Sequence, residues 1–215
     1  MTSEHPRAMT VRYLSPRREN RSSQVERFMR LWDTPVSPEQ QAEIARRVVI
    51  KQIRSPYGNI NDQGTPYPSR SCFVNRFHPD FEAVIEPGVR SLLAAVAIDL
   101  DLVTYTSCEG HRYPGTPRAP DERHVGIVAR SPAEAERVLA TFERAASVTN
   151  ARHADKAAEV AIMRHTLTDG DIAYPAIDLY VCRRVEASWD AYFADLDAVG
   201  EVLAEALVSD YTGTR

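Results

Sequence analysis

The densest run of reactive side chains in the chain is Thr104-Tyr105-Thr106-Ser107-Cys108-Glu109-Gly110-His111. A β-rich segment delivers hydroxyls, a thiol, a carboxylate and an imidazole into a glycine turn. A Pro-rich loop follows, Arg112 to Arg123, and His124 opens the next β-rich segment. If the two segments pair as antiparallel neighbours, the loop's ends meet, and Cys108, His111 and His124 converge at one rim of a sheet. Three chemistries are then open. Cys108 is a nucleophile activated by an imidazole, with His111, His124 or Glu109 as acid or base. Or Cys108 and His111 are two ligands of a zinc ion, with His124, His78 or Cys72 completing the set. Or the Ser-Cys-Glu-Gly turn offers backbone N–H groups to an anion. The competing structural reading makes Cys108 a small buried hydrophobe at a strand end.

Further residues fall around that rim as candidates for holding a substrate. Ser107 and Gly110 lie in the turn itself. Arg112, Arg118 and Arg123 on the loop, with Arg70 and Arg76 upstream, are expected to contact an anion. Asp178 and Tyr180 share one face of a later strand, placed to orient a histidine or touch a substrate.

These groups need elements to position them. A Ser23-x-x-Glu26 box opens a short helix through Val25, Phe28, Met29 and Trp32, and Ser37-Pro38 starts another running to about Arg54. Gly, Pro and Asn then break up Ser55 to Arg70. Cys72 to Phe77 is expected as a strand. Asp80 to Leu100 reads as helix, with a second section starting at Pro87. Val103 to Ser107 and Val125 to Ala129 are β-rich. Ser131-Pro132-Ala133-Glu134 caps a helix that buries Val138, Leu139 and Phe142. Ala161 to Leu167 and Ala176 to Cys182 flank Asp169-Gly170, a hairpin signal. The last helix, Ser188 to about Ser209, carries a stripe through Trp189, Leu196, Val199, Leu203 and Leu207. The order β-α-β-β-α-β-β-α predicts an α+β fold with a mainly antiparallel sheet and helices on one face. Residues 71–215 form the expected domain, 22–70 a helical extension with its Pro/Gly-rich loop, and 1–21 a flexible basic arm.

The sequence of a strand ending in Thr-Ser-Cys-x-Gly, then loop, strand, helix and hairpin, resembles the small tRNA-methyltransferase family of wybutosine synthesis. Ser107, Cys108 and Gly110 match that family's Ser-Cys-Ser-Gly-Arg segment, while Glu109 and His111 depart from it. The resemblance spans about Cys72 to Cys182. It implies S-adenosylmethionine as cofactor and a tRNA base as substrate.

Composition excludes other classes. With 43% hydrophobic and 26% charged residues the chain is that of a globular protein, and no apolar run approaches the ~20 residues of a membrane span. Three cysteines make no disulfide framework, and no leader is visible, so reduced thiols in a cytoplasmic protein are expected. Gly-x-Gly-x-x-Gly, Walker A, His-Glu-x-x-His and Gly-x-Ser-x-Gly motifs do not occur. The net charge of −4 is uneven: residues 1–76 hold 13 Lys/Arg against 7 Asp/Glu, and the rest is acidic. The basic part either meets a nucleic acid or another anion, or neutralises the acidic body, in cis or across a homodimer. Two functions follow. One is a small enzyme acting on a nucleotide-like or nucleic-acid substrate at the Ser107–His111 rim. The other is a binding module, zinc-stabilised, that recruits nucleic acid or protein through its basic helices.

Overall fold

The computed structural model describes residues 11–16, 20–21, 25–35, 37, 39, 76–77, 81 and 85–212. In chain order the elements are β1 (Arg12–Leu14), β2 (Asn20–Arg21) and α1 (Val25–Trp32). A 3-10 turn at Pro87–Val89 runs into α2 (Arg90–Ala94) and a π turn, Ala95–Asp99. Then come β3 (Val103–Cys108), β4 (Arg123–Val128), α3 (Pro132–Arg152), β5 (Ala158–Asp169), β6 (Ile172–Arg183) and α4 (Trp189–Thr212). No helix among the described residues is long and apolar enough to cross a membrane.

The sheet runs β1-β5-β6-β4-β3, with β2 also pairing β5. The four long strands are antiparallel neighbours, and β1 and β2 run parallel to β5. This is an α+β fold. Period-two alternation sorts the side chains onto two faces. Val125, Ile127, Val160, Ile162, Leu179 and Val181 are wholly buried on one of them, in one cluster with Phe142 of α3 and Tyr192, Val199 and Leu203 of α4. Burying a side chain of this size contributes about 1.5–3 kcal/mol each. That face is the core, and α3 and α4 cover it.

Local chemistry sets the boundaries. The Ser131 hydroxyl accepts the Glu134 N–H at 3.1 Å and Pro132 takes the first helical position, as the box predicts. Glu134 reaches back to the Arg130 N–H, one residue further than a capping box requires. The hairpin strands are longer than their apolar cores because pairing extends the ladder to Asp169↔Ile172, where Gly170 turns at φ +61°. Pro175 lies beyond the last β4 pairing, Val128↔Ala176, and contributes its carbonyl to the Ala129 N–H at 2.9 Å.

The basic arm needs a correction. Arg12–Leu14 and Asn20–Arg21 are edge strands on β5, and Arg12 also pairs with Glu159 at 3.1 Å. A neighbouring strand supplies the order that the segment's own pattern lacks. Arg76 and Phe77 form a turn where the end of a strand was expected. The helix expected from Ser37 to Arg54, the loop from Ser55 to Arg70, Cys72 and His78 lie outside the described residues, apart from isolated positions.

Candidate active site

The pairing on which the rim depends is present. β3 and β4 are antiparallel neighbours, with Cys108 opposite His124. The ladder continues past the strand ends: His111 and Asp121 exchange both backbone hydrogen bonds, at 3.0 and 2.9 Å. The chain between Cys108 and His111 turns at Gly110, whose φ is +88°. A Cβ there would lie 3.2 Å from the Arg123 nitrogen and 3.3 Å from the Asp121 carbonyl oxygen, so the turn requires glycine.

The turn places His111 against a residue the sequence did not single out. Its Nε2 lies 3.1 Å from Glu86 Oε1, and the two side chains are only 5% and 11% exposed. Cys108, partly exposed, adjoins the same imidazole. Glu86, Cys108 and His111 each offer a ligand-type atom, all within 4.8 Å of one another. The carboxylate is held from behind, since its Oε2 accepts the Glu109 N–H at 2.8 Å. The Gly110 N–H points at Cys108 Sγ at 3.4 Å. Burial works against a charge on His111, but the Cys108 and Glu86 groups outweigh it and push its pKa up to about 10. The two neighbours, both able to carry negative charge, thus favour the protonated imidazole. The same three atoms are of the kinds that hold a divalent metal ion.

The remaining rim candidates take other positions. Glu109 is spent on the fold, accepting the Gly88 N–H at 2.7 Å. Ser107 is exposed and, by alternation, on the opposite face from Cys108. His124 is Cys108's cross-strand partner, yet its ring stacks on Tyr180 with centroids 4.9 Å apart, and its Nε2 faces the Thr106 hydroxyl at 3.4 Å. It is not in the group of three. Burial holds its pKa below the ordinary histidine value.

Of the arginines expected to bind an anion, Arg70 lies outside the described residues, and Arg76, Arg112, Arg118 and Arg123 are paired within the protein. Arg112 meets Asp190 and lies over the Phe193 ring, while Arg118 meets Asp121 at 2.8 Å. Arg76 meets Asp101, at a distance along the chain from the rim. Arg123 is buried on the core face, bonding Asp197 at 2.6 Å, the Glu109 carbonyl at 3.0 Å and the Leu196 carbonyl at 3.4 Å. It fastens the loop to α4.

On the face of the sheet away from α3 and α4, a second polar group adjoins the first. Asp178 Oδ1 accepts the Tyr105 hydroxyl at 2.7 Å and lies 3.1 Å from His165 Nε2, which is itself 2.9 Å from the Tyr105 oxygen. Asp178 thus orients a histidine, but that histidine is His165. Three strands supply the trio, and Gly126 on the fourth leaves room for it. A Cβ at Gly126 would fall 2.4 Å from Asp178 Oδ1. Burial and then the Asp178 charge raise the Tyr105 phenol well above its ordinary pKa. Register sets Cys108, His124 and Tyr180 on one rung of this face and Thr106, Gly126 and Asp178 on the next, about 7 Å away.

A hollow of about 350 Å³ lies elsewhere. Arg164, Thr166, Ala173, Pro175 and Ile177 line it from the core face of the hairpin, near the start of α3. His165 borders it, but alternation sends the His165 side chain to the other face.

Glu86, Tyr105 and His165 are the site residues that sequence reasoning missed or discounted. The one available signal for Glu86 is its position before Pro87, at the mouth of a helical segment. Comparison with protein-family models, with curated proteins and with solved structures gives no match for this chain.

Proposed function

We propose that this protein is an enzyme whose nucleophile is Cys108, with His111 as the adjoining imidazolium and Glu86 as the carboxylate that orients it. The observation that carries this reading is the line Glu86–His111–Cys108: Glu86 and His111 are largely buried and fixed, and Cys108 is partly exposed. Reactive cysteines occur in such surroundings, partly exposed and beside a cationic imidazole. In the reaction, the Cys108 sulfur, attacking as the thiolate of a thiolate–imidazolium pair, displaces at an electrophilic carbon and a C–S bond forms. The bond to the leaving group breaks, and His111 gives that group its proton. Water or a second acceptor then takes the group from sulfur, its proton returning to His111.

The substrate proposed is a ring-bearing, nucleotide-like molecule. Support comes from the His124–Tyr180 stack beside Cys108 on the sheet face, since flat aromatic surfaces hold bases by stacking. The loop arginines lend no support, because acidic neighbours already pair them.

The test compares two probes of matched reactivity, chloroacetamide and a nucleoside carrying a chloroacetamide group, by intact mass and peptide mapping. The reading expects the nucleoside probe to label Cys108 faster, and the label to disappear in Cys108→Ser. Labelling that falls on another residue, or equal rates for the two probes, overturns the nucleophile or the substrate respectively.

A further inference from the structure

We infer that Glu86, Cys108 and His111 also form a site for one zinc-class divalent cation, which blocks the thiol when bound. This rests on the same residues as the proposed nucleophile and adds a means of regulating it.

The donor set selects the metal. One sulfur, one imidazole nitrogen and one carboxylate oxygen within 4.8 Å suit a borderline-soft ion. Calcium and magnesium prefer oxygen ligands throughout. Three protein ligands with a fourth position open is a common zinc arrangement.

The site is also built in advance. Glu86 Oε2 is tied to the Glu109 N–H, which leaves Oε1 toward His111, and a ligating carboxylate held from behind in this way is better aimed. His111 is anchored by its paired backbone bonds to Asp121, and Cys108 by the end of β3. None of the three donors needs to travel from another element on binding. The proton held by the His111–Cys108 pair leaves as the ion enters, and the sulfur lone pair that would attack a substrate is taken up by the metal. His124 does not complete the set, because its ring is held by Tyr180 and faces Thr106.

The experiment uses the full chain, stripped with a chelator and dialysed against buffered free zinc, with bound metal counted by mass spectrometry. One zinc per chain is expected. Cys108→Ser, His111→Gln and Glu86→Gln are expected to weaken binding by more than the roughly 10–100-fold that loss of an outer partner costs. Cys182→Ser, which removes a wholly buried thiol on another strand, leaves it unchanged. Circular dichroism checks that each variant folds. Should one fail to fold, cobalt loaded into the unmutated protein still reports a thiolate ligand through its sulfur-to-metal absorption band.

No retained zinc, or zinc retained equally in Cys108→Ser, overturns the proposal. Chloroacetamide labelling of the zinc-free protein separates the two ideas. Rapid labelling of Cys108 without zinc binding leaves the nucleophile standing and removes the metal site. Stoichiometric zinc with slow labelling of the stripped protein does the reverse.

Discussion

Replacing Gly126 with alanine tests whether the Tyr105–Asp178–His165 cluster is as tightly drawn as its geometry implies. The new methyl would lie 2.4 Å from Asp178 Oδ1, 2.6 Å from Thr106 Cγ2 and 2.7 Å from Tyr105 Cε1. Carbon contacts are comfortable at about 3.5–4.0 Å, so all three neighbours would have to retreat by about 1 Å. Tyr105 and Thr106 sit on β3 and Asp178 on β6, on either side of β4, so one backbone shift cannot relieve every clash. Inserting a methyl into a packed site costs about 1–3 kcal/mol. Losing the hydrogen bond from Tyr105 to the Asp178 carboxylate adds about 1.5–3 kcal/mol. The expected destabilisation is thus about 3–5 kcal/mol, read from urea unfolding followed by circular dichroism. Asp178→Ala should itself destabilise, but adding Gly126→Ala to it should cost markedly less than in the parent, because the closest clash is gone. A loss below about 0.5 kcal/mol in the parent, as for an ordinary surface change, would refute the reasoning.

Other consequences follow from single residues. His124 is held below its ordinary pKa by burial, against the pull of Asp178, Asp121 and Glu86. Between about pH 6.5 and the lowered value, the unfolded chain binds a proton at this position that the folded chain does not. Its contribution to stability is therefore complete above about pH 6.5 and declines as pH falls. His124→Gln should flatten that part of a pH series of urea midpoints, and an unchanged slope would count against a buried neutral imidazole. Asn150 serves both backbone groups of Val160, at 2.9 and 2.7 Å, and all of these are buried. Asn150→Ala strands two polar groups, and a loss of about 2–4 kcal/mol is expected from the same unfolding assay. Arg123→Met keeps the length but removes the bonds to Asp197 and two carbonyls; about 1–3 kcal/mol should be lost. Proteolysis should quicken between Arg112 and Arg123 if that arginine fastens the loop.

What the sequence revealed follows from the range of each signal. The pairing that joins Cys108 to His124 was legible because the two β-rich segments follow one another in sequence with only a loop between them, and Gly110 marks the turn where only glycine fits. Alternation placed Asp178 and Tyr180 on one face. Tyr105 does not follow alternation, because an irregularity in the β3–β4 register between Thr104 and Thr106 brings Tyr105 and Thr106 to the same face. Glu86 was not legible. It reaches His111 only because the turn before α2 packs against the Gly110 corner, a tertiary fact with no periodicity to announce it. Charge counting read Arg112 and Arg123 as anion contacts, yet their roles depend on Asp190 and Asp197, which α4 brings to them. The three-residue β1 likewise owes its form to β5.

An activated Cys108 differs from a passive thiol in how fast iodoacetamide alkylates it at pH 7, and that rate is the decisive observation for the proposed nucleophile. It is followed by peptide mapping in the native, zinc-stripped protein and in the same chain unfolded in urea. An unperturbed cysteine at that pH is only a few per cent thiolate. The account predicts native alkylation more than about tenfold faster than in the unfolded chain. His111→Gln should remove that advantage, and Cys182, whose thiol burial pushes up to about 12, should stay unmodified in the native fold. Alkylation of native Cys108 no faster than in urea, or an advantage that survives His111→Gln, would contradict it.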